Sequence, residues 1–300
     1  MQSAEAITEH CLTFSCRAET LIGILHIPAR PRGGVGVLIV VGGPQYRVGS
    51  HRQFVLMARV LAANGFPTLR FDYRGMGDST GAQRPFDQVD EDISTAIDAF
   101  MAQDSTLQGV ILLGLCDAAS AALIYSRRDA RVSGLILLNP WARTESGQAQ
   151  ALLRHYYLRR IADRSFWKSL VTGQVKLGAA ISGLIDKLRS VAAAGHNLHA
   201  EADADFLARM QSGASKFKGR VLLILSGDDL TAREFEQYCA GSASWQRWLS
   251  SATVQLVRLQ DADHTFSRCA DLESASSAIC RWLDRAPDSR TAGVGGGVVQ

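Results

Sequence analysis

The side chains of this chain best suited to chemistry lie in three separate segments. In the first, an apolar run over 109–115 leads into Cys116, with Gly114 two positions before it and Ala118 two positions after. A strand that turns sharply into a helix pushes the residue at the turn out above the sheet, and the residues two away on either side must be small or they collide. Gly114 and Ala118 meet that demand. The helix that follows would aim its free N–H groups at the reacting centre. That terminus and an imidazole partner both favour thiolate, the nucleophilic form of cysteine. The plainer alternative is a core cysteine at a strand end.

The second segment is the apolar run 222–225 followed by Ser226, Gly227, Asp228 and Asp229. The third is Asp261, Asp263 and His264, directly after the strand expected at 254–259. His264 is the candidate base: it would take the thiol proton and later activate water, while an acid holds its tautomer and stabilises the imidazolium. Asp229 is preferred as that acid because it stands three residues past Ser226, a small position where the chain turns from the strand; Asp228 is the alternate. The plainer reading of His264 is a surface-loop histidine. The other six histidines show no metal-ligating spacing and receive no role. No cofactor is implied.

A covalent acyl mechanism also needs two N–H donors for the oxyanion, each worth on the order of 3 kcal/mol of transition-state stabilisation. Gly42, Gly43 and Pro44 follow the apolar run 35–41, where such a loop belongs. Proline has no N–H, so Gly43 is the expected first donor and the Asp117 N–H, next after the nucleophile, the second. The Asp117 carboxylate opposes thiolate formation by its charge; capping the helix or orienting substrate are the roles open to it. Arg47, His51 and Arg52 follow the same loop and suit an anionic group or, more plainly, a solvated turn.

These residues must be carried by strands and helices in alternation. Residues 12–19 and 20–28 read as an opening hairpin. Strands are expected at 35–41, 67–73, 109–115, 132–138, 220–225 and 254–259, several of them continuous apolar runs of the kind buried on both faces. Helices are expected from Ser50, as a cap, to about 63, and over 87–102, 118–126, 232–249 and 272–284. This alternation predicts an α/β fold with a mostly parallel, doubly wound sheet. It stops between 141 and 218, a helical stretch read as a lid inserted over the sheet edge. From 141 to 200 that stretch carries nine Arg or Lys against three Asp or Glu, which is either a solvated face or an attraction for an anionic substrate. The expected units are therefore core 1–140, lid 141–218, core 219–286 and a disordered tail 287–300.

Bulk properties narrow the class. The chain has 300 residues, 47% of them hydrophobic, and a net charge of +3, enough for one large core. There is no basic stripe or nucleic-acid module, no apolar run long enough for a bilayer, and no secretory signal pattern at the N-terminus, so a cytoplasmic setting is the default. The six cysteines read as free thiols. The Gly75-x-Gly77 turn lies in a proline-containing loop rather than at the start of a helix, which argues for a structural brace over a dinucleotide site.

The chain order nucleophile, acid, histidine is that of α/β-hydrolases, and with the glycine loop and the Asp72–Ser79 turn the sequence resembles that superfamily over nearly its whole length. More narrowly, 42–53, 70–78, the Cys116 turn, Asn139-Pro140-Trp141 and 226–232 resemble the exosortase A system-associated hydrolase family, type 1. That resemblance implies an eight-stranded hydrolase sheet with a lid and a bacterial setting of exopolysaccharide synthesis and protein sorting. Cysteine at the turn is a departure from the usual serine, shared with dienelactone hydrolases, and suits thioesters and activated or lactone esters. The expected activity is hydrolysis of an acyl ester or thioester through Cys116, His264 and Asp229. The alternatives are acyl transfer to a sugar or lipid hydroxyl by the same residues, and a non-catalytic binding module.

Overall fold

A computed structural model describes residues 7–32, 34–43, 45–142 and 198–285. Most of the expected lid and the whole expected tail lie outside these residues.

The opening hairpin is β1 (Thr8–Cys16) and β2 (Glu19–Ile27). Its turn falls at Arg17 and Ala18, about two residues earlier than expected, because Arg17 itself adopts the left-handed conformation (φ 54°) that two-residue turns require. Next come β3 (Gly34–Val40), α1 (Gln53–Ala63), β4 (Thr68–Asp72), α2 (Asp90–Gln103), β5 (Leu107–Leu115), α3 (Asp117–Tyr125) and β6 (Val132–Leu138). After 197 follow α4 (Leu198–Lys216), β7 (Arg220–Asp228), α5 (Leu230–Ala240), α6 (Ala243–Leu249), β8 (Val254–Asp263) and α7 (Cys269–Asp284).

Three expectations change in detail. Ser50 does not cap α1: the cap position belongs to Arg52, at φ 59°, with no side-chain cap. The helix expected over 232–249 divides at Gly241 and Ser242, where Gly241 ends α5 by accommodating its last backbone bonds. Strand β8 runs four residues further than expected, delivering the chain directly to His264.

The eight strands form one sheet in the order β1-β2-β4-β3-β5-β6-β7-β8. The β1–β2 and β2–β4 pairs are antiparallel and all others parallel. The continuous apolar runs are explained by their two neighbours. Leu38, Val40, Val110 and Leu112 face one core with α2, α3, α4 and Trp245 of α6. Val37, Ile39, Ile111 and Leu113 face the other with α1 and α7, notably Met57, Leu61, Ile279 and Trp282. A strand covered on both sides has no polar face. The parallel strands all point their carboxyl ends to one edge, where the functional loops gather.

Beneath that edge the 70–79 segment is a brace. Arg74, almost fully buried, gives Asp92 three hydrogen bonds of 2.8–2.9 Å through its backbone and guanidinium. Ser79 Oγ donates to Asp72 O at 2.6 Å and accepts Ile22 N–H at 2.9 Å, tying the turn to the hairpin.

A buried histidine makes this fold acid-sensitive. His26 of β2 is fully enclosed, and its Nε2 accepts the Arg70 Nε–H at 2.9 Å, so the ring is neutral. Burial, then the Arg70 charge, push its pKa down to about 4. An unfolded histidine titrates near 6.5, so between those values the unfolded chain takes up a proton that the native state refuses. The stability of the neutral-ring state is therefore intact above pH 6.5, and about 3 kcal/mol of it is lost by pH 4. Denaturant titrations of the wild type and a His26→Gln variant should show a much flatter pH dependence for the variant over that window; equal slopes would assign the acid sensitivity elsewhere.

Candidate active site

Cys116 sits between β5 and α3 with φ 61° and ψ −125°, a conformation rarely tolerated by a residue with a side chain. The surroundings hold it there. Its N–H donates to Leu138 O at 2.9 Å, and its carbonyl accepts the N–H groups of Ala119 and Trp141 at 3.1 and 3.2 Å. The size rule is physical: a Cβ on Gly114 would come within 2.5 Å of the Ala118 backbone. Cys116 is partly exposed, at the start of the α3 helix.

The two candidate acids stand at the end of β7. Asp228 is exposed and pairs in register with Asp263, whereas Asp229 is buried and caps α5. Its carboxylate accepts Thr231 N–H at 3.0 Å and Ala232 N–H at 3.2 Å. The same Oδ2 lies 2.8 Å from His264 Nδ1. A helix N-terminus thus fixes the carboxylate before it meets the ring, and the contact falls to Asp229 rather than Asp228.

His264 follows β8 in a loop that is itself tied down. Asp263 accepts the N–H groups of Thr265 and Ser267, each at 3.0 Å. Fully buried Asn139, at the end of β6 with φ 45°, donates from Nδ2 to Ser226 Oγ at 2.9 Å and to His264 O at 3.1 Å, and its Oδ1 accepts Ser226 N–H at 2.8 Å. Asn139 therefore positions both the histidine loop and the strand end that leads to Asp229. Reading the residues one by one assigned it no part; its signal was a polar residue ending a buried apolar run.

Burial acts to lower the pKa of His264, but the hydrogen bonds and negative charge of Asp229, then of the Cys116 sulfur, outweigh it and raise the value to about 10. The structure thus brings Cys116, His264 and Asp229 to one corner of the sheet.

The oxyanion loop is less simple. Gly43 lies beside the start of α3 as expected, but its N–H is engaged: it donates to Asp117 Oδ2 at 2.8 Å. The donor expected to be open is held by the side chain for which capping or substrate orientation was expected. Sequence gave no sign of this because the two residues are far apart in the chain and meet only through the sheet. Beyond Gly43 the loop is anchored by Asp72, which accepts Arg47 N–H at 2.6 Å and pairs with the Arg47 guanidinium, while Arg47 also pairs with Asp78 at 2.6 Å. Arg47 is thus committed to the loop's own anchorage. Gly77 closes on the Asp72 carboxylate, which a Cβ at that position would approach to 2.2 Å, so the Gly75-x-Gly77 turn serves as a brace.

The raised pKa of His264 has a checkable cause. Replacing Asp229 by Asn removes the charge and keeps the shape. Ring-proton NMR titration should then show the His264 pKa falling by at least about 2 units toward the usual histidine value near 6.5. A value still near 10 would exclude Asp229 as the main support of the imidazolium.

Among the described residues no cluster of His, Cys, Asp or Glu is arranged to hold a metal ion, and no helix is long and apolar enough to cross a membrane. No curated protein matches the chain. Solved structures of similar fold include an esterase from Pyrococcus furiosus (12% identity, 92% of each chain covered, TM-score 0.62). They also include a dienelactone hydrolase from Anabaena variabilis (17%, 92% of this chain and 97% of that one, TM-score 0.58), and Est1E from Butyrivibrio proteoclasticus with ferulic acid bound (14%, 91% and 97%, TM-score 0.60). At these identities the likeness establishes the fold. The family model described as serine aminopeptidase, S33, matches residues 37–264, from the middle of β3 to the histidine itself. The chain therefore belongs to this family of α/β-hydrolases.

Proposed function

We propose that this hydrolase cleaves an acyl ester or thioester through a covalent intermediate on Cys116. The observation that carries the reading is the 2.8 Å contact between His264 Nδ1 and Asp229 at the corner where Cys116 projects from its turn. Nδ1 is thereby occupied, which leaves the second ring nitrogen for the thiol. With its pKa raised to about 10 by Asp229 and Cys116, His264 holds its proton beside the sulfur, as a thiolate–imidazolium pair requires.

The thiolate sulfur attacks the acyl carbon and the carbonyl electrons move to oxygen. As the tetrahedral species collapses, the bond to the leaving group breaks and His264 gives its proton to the departing alkoxide or thiolate. The acyl group is left as a thioester on Cys116. Neutral His264 then takes a proton from water, the hydroxide attacks the thioester, and the free acid leaves as the proton returns toward sulfur. Asp229 stabilises each imidazolium stage without accepting the proton itself.

Hydrolysis is preferred over acyl transfer because the family is one of hydrolases. The convergence of sulfur, imidazole and carboxylate favours catalysis over a binding role. The similar folds of an esterase and a dienelactone hydrolase are in keeping with ester or lactone substrates. The motifs at 42–53, 70–78, 139–141 and 226–232 support a place among the exosortase A system-associated hydrolases, and with it a bacterial exopolysaccharide setting.

Turnover of p-nitrophenyl butyrate and a butyryl thioester tests the reading. Cys116→Ala should lower kcat/KM by at least about 1000-fold with an unchanged denaturation curve. Because the imidazole holds its proton far above pH 6.5, the wild-type profile should show no rise centred there and should fall as pH passes about 10. Unchanged activity in Cys116→Ala would remove the mechanism. A single rise near pH 6.5 would show a neutral imidazole base acting without an ion pair.

A further inference from the structure

The Asp117 carboxylate occupies a place that the chemistry needs empty. Its Oδ2 accepts the Gly43 N–H at 2.8 Å and its Oδ1 accepts the Ala118 N–H at 2.9 Å. Its own backbone N–H also faces it. These are backbone donors from the glycine loop and from the first turn of α3, immediately beside the sulfur. They are what a tetrahedral oxyanion formed on Cys116 would require. The fit is close: a Cβ added to Gly42 would lie 2.0 Å from Oδ1, so glycine at that position makes room for the carboxylate.

Among the described residues the hydrogen bonds to the carboxylate come from backbone amides. Among the described residues no lysine or arginine pairs with it. Burial raises its pKa, against the lowering effect of the Gly43 and Ala118 amides and of His264. The ionisable groups around it are Cys116 on its own turn, His264 from the loop after β8, and buried Tyr73 after β4, whose pKa burial and then Asp117 push up to about 12. Ordinary helix capping accounts for the Ala118 contact. It does not account for the reach across to Gly43.

We propose that the Asp117 carboxylate is a resident competitor for the oxyanion site: it mimics the negative oxygen of the intermediate, holds the Gly43 amide in the resting enzyme, and must swing away before an acyl carbonyl can be activated. The inference rests on the reading of Cys116 as nucleophile. Its consequence is selectivity. Only an acyl group bound well enough elsewhere to displace the carboxylate is attacked, and a second negative charge next to the scissile carbonyl is disfavoured.

The test uses butanal, which adds reversibly to a thiol. The sulfur–carbon bond forms, the carbonyl opens, and the thiol proton ends on the new oxygen, which sits where an oxyanion would. Protection of Cys116 from iodoacetamide, read by peptide mass, gives the half-protecting concentration without any need for turnover. Asp117→Ala should lower that concentration by about tenfold, the worth of roughly one freed donor. The gain over the wild type should grow with pH as Asp117 ionises. Asp117→Ser, which keeps a capping oxygen on a shorter side chain, should give the same gain, and it supplies the reading if the alanine variant does not fold. A capping role alone would lower stability without tightening butanal. Butanal protection of Cys116 that is unchanged or weakened in these variants overturns the proposal and leaves the nucleophile standing. A Cys116 that butanal protects neither in the wild type nor in the Asp117 variants overturns the nucleophilic reading, and this proposal with it.

Discussion

The hydrogen bond between Asp229 and His264 is the contact on which the site depends, and most of the fold can be read as what is needed to make it. The two residues sit just past the ends of adjacent parallel strands, β7 and β8. Neighbouring parallel strands deliver their following loops to the same edge, so two groups 35 residues apart arrive together without either loop being long. A flexible pair would lose most of its Coulombic gain to side-chain entropy and solvent. Here each partner is fixed independently, the carboxylate by the first turn of α5 and the histidine loop by Asp263 and Asn139. The free energy of the contact goes into holding the imidazolium.

Cys116 shows the complementary arrangement, strain held in place by burial. A non-glycine residue in the conformation of Cys116 costs on the order of 1–3 kcal/mol. Strand β5 has seven consecutive fully packed residues before the turn and lies at the centre of the sheet, between β3 and β6. Loss of that packing would cost far more than the strain, so the turn has no relaxed alternative within the native fold. Sulfur in this place changes the chemistry that the family architecture delivers. A thiol gives up its proton far more readily than a serine hydroxyl, so the imidazole need not wait for the transition state to take it. On the proposed mechanism the thioester would suit activated acyl groups better than ordinary lipids.

How much of this was legible in the sequence follows from how local each determinant is. The strands of the central sheet were readable because burial on both faces leaves an uninterrupted apolar run, and Gly114 and Ala118 marked the turn because their size is a steric requirement of that turn. The order Cys116, Asp229, His264 was readable for the same reason, since each stands directly after a strand. The acid itself was readable only as a preference, and its helix-capping geometry, invisible in a one-dimensional pattern, separates it from Asp228. The break between α5 and α6 was missed and the turn at Arg17 misplaced, because a glycine inside an amphipathic stretch and an arginine in a left-handed turn carry weak local signals. The hydrogen bonds of Asn139 and the reach of the Asp117 carboxylate to Gly43 were not legible. Both act through contacts between segments that only the sheet brings together, and no spacing rule encodes them.

The central claim is that sulfur, imidazole and carboxylate operate as one unit that carries an acyl group on Cys116. The most direct measurement is intact mass and peptide mapping after rapid mixing with a butyryl thioester and acid quench. The account predicts a single butyryl adduct on the peptide containing Cys116, removed by neutral hydroxylamine and longer-lived when His264 is replaced by Ala in enzyme already acylated by a more reactive anhydride. An adduct on any other residue, or turnover of the thioester with Cys116 never modified at any quench time, would contradict it.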